Sequence, residues 1–198
     1  MTFLPSRRSA LRSFAGITAL VLGASACGPG GPGPSASSGG AKPRGGNGGE
    51  RRLGAEWESH TRTFMSWPAL ESVWMEDLPY VRKDIARIAR EIAEYEEVVM
   101  MARPAQVKAA QRACGSLVEV VPLDVDDLWA RDTVPVFVEE EGEVVGVDLN
   151  FNGWGNKQEH ENDALVGETL LAKYRIPRVE APLIAEGGSF ETDGEGTL

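Results

Sequence analysis

Residues 125–135 read Val-Asp-Asp-Leu-Trp-Ala-Arg-Asp-Thr-Val-Pro and bring together three carboxylates (Asp126, Asp127, Asp132), the indole of Trp129 and the guanidinium of Arg131. A carboxylate such as Asp132 can clamp a cation, and the face of Trp129 can hold the same cation against its π system. Arg131 can bind an anion or fix the loop. The same residues also suit a turn in which Asp side chains accept backbone N–H bonds while Trp129 fills core. Chemistry alone leaves both readings open.

Neither reading calls for a cofactor or a metal. Cys27 and Cys114 lie far apart with no CxxC spacing, so no disulfide framework or metal-ligand set follows from them. Cys114 falls at the end of an expected helix and reads as a buried, inert thiol. His60 and His160 read as surface or packing residues.

The elements that must hold the acidic segment follow from the hydrophobic pattern. Residues 61–67 read as a strand closed by Pro68. Val81, Ile85, Ile88, Ile92 and Tyr95 then recur at helical spacing, which puts all five on one helix face. A short apolar strand at 98–102 precedes a helix that starts at Pro104, runs to about Ala113 and is capped by Gly115. A strand is expected at 117–123. Residues 134–138 and 144–151 flank a Glu-rich turn and read as a hairpin. A helix over 162–174 leads to a strand at 179–184, and residues 186–198 read as a hairpin whose second arm has barely begun. Helices alternating with strands and hairpins make an α/β domain. Its expected start is near Leu53, and the unfinished hairpin suggests a chain that stops short of a whole domain.

Residues 1–27 have the form of a targeting peptide: a basic start, a moderately apolar run, then Ala24-Ser25-Ala26 before Cys27. Ser6-Arg7-Arg8-Ser9-Ala10-Leu11-Arg12 resembles a twin-arginine export motif, and the context of Cys27 resembles a lipobox with Ala24 in place of leucine. Cleavage after Ala26 without lipidation is the alternative. Residues 28–52 are rich in Gly and Pro and read as a flexible tether. No apolar run reaches the length of a mature membrane-spanning helix, so membrane contact would come only through a lipid on Cys27. The product is expected to be a surface lipoprotein or a secreted protein.

Net charge is −10 overall, but residues 1–52 are basic, so residues 53–198 carry a net charge of about −16. A field of that sign repels nucleic acid and draws in cationic small molecules, or serves solubility alone.

Four segments occur in a set order: AEWESHTRTFMSWP at 55–68, VDD with WARD at 125–132, FNGWG at 151–155 and EGGSFETDGEGTL at 186–198. Together they resemble the agmatine deiminases and the bacterial peptidyl-arginine deiminases. The resemblance implies a pentein fold, a fan of ββαβ pseudo-repeats around a narrow channel, incomplete in this chain. It also implies hydrolysis of a guanidinium through a covalent cysteine intermediate. Asp132 matches the carboxylate that holds the guanidinium, Trp129 the aromatic that lines the channel, and Glu186 the acid that cooperates with the catalytic histidine. Arg131 reads as structural. The family's His-x-Asp pair and late nucleophilic cysteine have no match here. The implied substrate is agmatine or peptidyl-arginine. The absence of arginine from residues 146–156 favours agmatine, which has no carboxylate to bind, whereas export favours peptides outside the cell. A non-catalytic lipoprotein that binds cationic ligands is the reading from a different class.

Overall fold

A computed structural model describes residues 50–198; the twin-arginine motif, the tether before residue 50 and Cys27 lie outside the described residues. Two sheets organise the domain. The first holds three parallel strands in the order β2 (Arg62–Ser66), β3 (Glu97–Ala102) and β4 (Val118–Pro122). A one-turn helix α1 (Glu71–Trp74) and the long helix α2 (Leu78–Ile92) connect β2 to β3, and α3 (Val107–Cys114) connects β3 to β4. The second sheet runs β1 (Arg51–Arg52), β5 (Val136–Glu140), β6 (Glu143–Asp148), β7 (Arg178–Glu180). There β5 and β6 form an antiparallel hairpin, and β7 joins parallel to β6 after helix α6 (Val166–Tyr174). Two further short turns carry site residues: α4 (Ala130–Thr133) and α5 (Gly153–Asn156).

β3 explains the layering. Its run Val-Val-Met-Met-Ala is buried on both faces, as expected of a central parallel strand. Val98, Met100 and Ala102 face α2 and α3, meeting Ala86, Ala89, Ala110 and Cys114; the small alanines bring the helices close to the sheet. Val99 and Met101 face the other way, onto Val166 and Leu170 of α6. On that side Phe64 of β2 stacks on Phe137 of β5 at 5.9 Å and meets Tyr174 edge-on at 5.5 Å, which joins the two sheets in one core.

Several expectations shift in detail. α2 ends at Ile92, so Tyr95 falls in the following turn and is 87% exposed instead of sharing the apolar face. The last strand is only Arg178–Glu180, because Pro182 has no N–H to give a ladder. Residues 186–198 form no hairpin: a tight turn at Gly187–Ser189 is followed by a second in which the Asp193 carboxylate accepts from the Glu195 and Thr197 amides. β1 begins at Arg51, slightly before the expected domain start, and pairs with β5, where Arg51 Nε meets Glu140 at 3.2 Å.

The loops after the parallel strands are tied down by buried charge. The Asp126 carboxylate accepts from the backbone N–H of Asn162 (2.8 Å) and Asp163 (3.1 Å), the Asn162 side chain (2.7 Å) and Arg103 Nη2 (2.5 Å). In return the Asp163 carboxylate accepts from the backbone N–H of Asp126 (2.8 Å) and Asp127 (3.2 Å). For Asp126, burial pushes the pKa up, but the Asn162 side chain, the two N–H bonds and Arg103 outweigh it and the net shift is downward. For Asp163, burial dominates and, with Asp126 and Asp127 nearby, pushes the carboxyl from 3.8 to about 7.

The two shifts act in opposite directions on stability. Between 3.8 and about 7 native Asp163 keeps a proton that the unfolded chain releases, so its contribution to stability falls as pH rises through that window. Asp126 contributes stability above its unfolded pKa and loses it only as pH falls through its lowered native value. Thermal unfolding of the wild type should therefore shift to lower temperature from pH 4 to pH 7 more than unfolding of Asp163→Asn. Parallel pH profiles for the two proteins would remove this assignment.

Candidate active site

The carboxyl ends of parallel strands are where an α/β sheet leaves a crevice, and Arg103 and residues 123–133 lie just past the ends of β3 and β4. α4 begins directly after Trp129 and carries Arg131 and Asp132. The turn Gly187–Ser189 packs on α4 so closely that a Cβ at Gly187 would sit 2.5 Å from the Arg131 carbonyl oxygen. Only glycine permits that approach. It brings Glu186 near Asp132, and a Cβ on Gly188 would lie 3.3 Å from Asp132 Oδ1. Glu186 accepts a hydrogen bond from Ser189 Oγ at 3.1 Å. Burial, then the charge of Glu186, raises the pKa of Asp132, while Arg131 opposes the rise.

Asp132 faces a cavity of about 380 Å³ lined by Trp129, Trp154 and Gln158. Trp129 is 39% exposed and meets Trp154 edge-on at 6.1 Å, and Trp154 meets Phe151 in the same way at 5.0 Å. The backbone under Trp154 is unusual. Gly153, Trp154, Gly155 and Asn156 all have positive φ, so α5 is a single left-handed turn, cross-braced by Asn152 Oδ1 accepting from the Gly155 amide at 2.8 Å. A tryptophan in that conformation costs roughly 1–2 kcal/mol. The cost buys an indole turned onto Trp129 and the cavity.

Asp127 is fully buried and supplies four acceptor contacts. Oδ1 accepts from Trp74 Nε1 (2.7 Å) and the Leu128 amide (2.8 Å). Oδ2 accepts from Trp129 Nε1 (3.0 Å) and Gln158 Nε2 (3.1 Å).

Asp132 thus lies beside Trp129 on the cavity and near Glu186 on the adjoining turn. Arg131 pairs with Glu56 and lines the cavity on the other side of α4, an arrangement compatible with a structural role. His60 pairs with Glu96 at 2.5 Å, and His160 Nδ1 lies 2.8 Å from the Gln158 carbonyl while its ring meets Phe151 edge-on. Cys114 is buried, and burial pushes its thiol up to about 11, far from a reactive thiolate. Asp127 and Trp154 lie in the sequence motifs without an assigned role, and Gln158 lies outside them. The doubled aspartate and a tryptophan between two glycines were the available signals. A larger cavity of about 500 Å³ lies on the Arg131 side of α4, lined by Glu56, Phe64, Phe137 and Phe190 among others. It contains neither Asp132 nor Trp129, so volume does not locate the chemistry. Among the described residues no group of three His, Cys, Asp or Glu side chains is placed to hold a metal ion.

An acidic side chain under an aromatic wall sits on this α/β frame, and solved structures share the frame. Agmatine deiminase of Enterococcus faecalis superposes with a TM-score of 0.70 at 26% identity, over 74% of this chain and 42% of that one. Agmatine deiminase of C. jejuni with substrate bound superposes with a TM-score of 0.68 at 26% identity, over 74% and 44%. The fold is therefore the pentein α/β fold of these enzymes. The chain belongs to the Porphyromonas-type peptidyl-arginine deiminase family, which matches residues 52–198. A Legionella pneumophila protein provisionally named an agmatine deiminase is 36% identical over 148 residues, covering 73% of this chain and 42% of the relative. The agmatine deiminase of Medicago truncatula is 32% identical over 157 residues, covering 72% and 42%. The chain spans about 42% of the length of these curated relatives.

Proposed function

We propose that this chain forms the substrate-clamping part of a deiminase that hydrolyses the guanidinium of agmatine to N-carbamoylputrescine and ammonia. The observation that carries the reading is the convergence of Asp132 and Glu186 beside the Trp129–Trp154 wall. A guanidinium keeps its proton and its carbon is a poor electrophile, so carboxylates must hold the nitrogens while a thiolate attacks. Ammonia then leaves, and water releases the carbamoyl product with help from a general base. Asp132 is assigned to the guanidinium nitrogens, Trp129 to the cation's flank, and Glu186 to support of the base. No residue of the site described above is assigned to the thiol step.

The relatives named for agmatine and the absence of arginine from residues 146–156 support agmatine. The family's own description favours peptidyl-arginine as the second substrate. Incubating the gene product separately with agmatine and with arginine-containing peptides distinguishes them. N-carbamoylputrescine and ammonia from agmatine support the first reading. Citrulline in the peptides alone supports the second, and neither product leaves a non-catalytic binder.

Export by the twin-arginine route belongs to the same proposal and rests on Arg7-Arg8 and the small residues before Cys27. Lysines at both positions should block secretion from a twin-arginine-competent bacterium, and undiminished secretion would remove the assignment.

A further inference from the structure

The cavity wall depends on a residue that lines none of it. Trp74 belongs to α1 in the β2–β3 connection, Trp129 precedes α4, and Gln158 follows the left-handed turn α5. These three segments converge on one buried carboxylate. An ionised carboxylate is acceptor-only with two oxygens, so it can satisfy four donors, and Asp127 receives four: two indole N–H groups, one side-chain amide and the Leu128 amide. An indole offers one polar atom. Fixing that atom selects one edge of the ring and thereby how the Trp129 indole stands toward Asp132 and Trp154.

We propose that Asp127 is a positioning residue: its carboxylate sets the orientation of the Trp129 indole, and through Trp74 it anchors that indole to the β2–β3 connection. Asp127 does not line the cavity, so it acts on the cation through Trp129 and not by contact. The consequence for substrate rests on the deiminase reading, whereas the consequence for the indoles does not.

The test uses the full 198-residue chain and the indole N–H resonances of its five tryptophans, assigned with Trp→Phe variants. In the wild type the Trp74 and Trp129 indole protons should exchange with solvent at least ten-fold more slowly than that of Trp57, which is 78% exposed. Asp127→Asn replaces one acceptor oxygen with a donor, so at least one of the two indole protons must exchange about ten-fold faster or more. Agmatine affinity, titrated on the same samples, should fall by about ten-fold. If Asp127→Asn does not fold, Trp74→Phe removes one donor while leaving the carboxylate and the cavity wall intact, and it should speed exchange at Trp129. A Trp129 proton that exchanges like Trp57 in the wild type, or is unmoved in both variants, overturns the proposal. A wild-type chain with both indoles tied that takes up no agmatine removes the deiminase reading and still supports this inference.

Discussion

Asp132→Asn is expected to lower kcat/KM for agmatine by about three orders of magnitude, measured as ammonia release by the gene product. The substitution keeps the shape of the side chain and removes its charge, so the melting temperature should change little. The size follows from the site. Asp132 is partly buried beside a second acid and two indoles, where a charge-assisted bond to a cation is worth several kcal/mol. Burial and Glu186 also give the pH dependence its sign. Because the pKa of Asp132 is raised, it must lose its proton to bind a guanidinium, and binding weakens as pH falls through that raised value. A folded Asp132→Asn protein with near-wild-type turnover would take Asp132 out of the site and remove the main reason for assigning the clamp.

The largest stability effect should come from the neighbouring turn. Asp126→Ala removes the acceptor of Arg103 Nη2, of the Asn162 side chain and of the amides of Asn162 and Asp163 in one step. The cost should be about 3 kcal/mol or more, because the backbone amides of Asn162 and Asp163 lose their acceptor inside the fold, whereas Arg103 is partly exposed and keeps the Val125 carbonyl. Urea unfolding reads this directly. A loss under about 1 kcal/mol would mean that the loop finds other partners. Asp126 and Asp132 thus give two separable predictions for one acidic segment, the first read in folding and the second in turnover.

That separation also marks how far sequence reasoning reached. Asp132, Trp129 and Glu186 were recognisable because they sit in motifs, and the structure places Asp132 beside Trp129 and near Glu186. β3 was legible because a continuous apolar run buried on both faces leaves little choice, and the β5–β6 hairpin because Glu141 and Gly142 form a turn with positive φ. The contributions of Asp127, Gln158 and Trp154 were not legible. Each depends on a partner distant in sequence or on a backbone conformation: Asp127 on Trp74, Gln158 on Asp127, Trp154 on a left-handed turn. Residues 186–198 misled because Gly-Gly and Asp-Gly are hairpin signals as well as signals for close packing. Here the first pair lets a turn press against α4, and the aspartate closes a local turn on itself.

The exchange of hydrogen bonds between Asp126 and Asp163 has a dynamic consequence. Each carboxylate holds two backbone amides of the other's segment, so neither segment can open while the other stays closed. The residues before Trp129 and the turn that leads into α6 are therefore expected to open together, with similar opening free energies at the four amides. A surface loop ordinarily samples its conformations independently of the helices around it. This one is tied to the turn before α6, so the aromatic wall it carries is fixed in place ahead of any ligand the site would take.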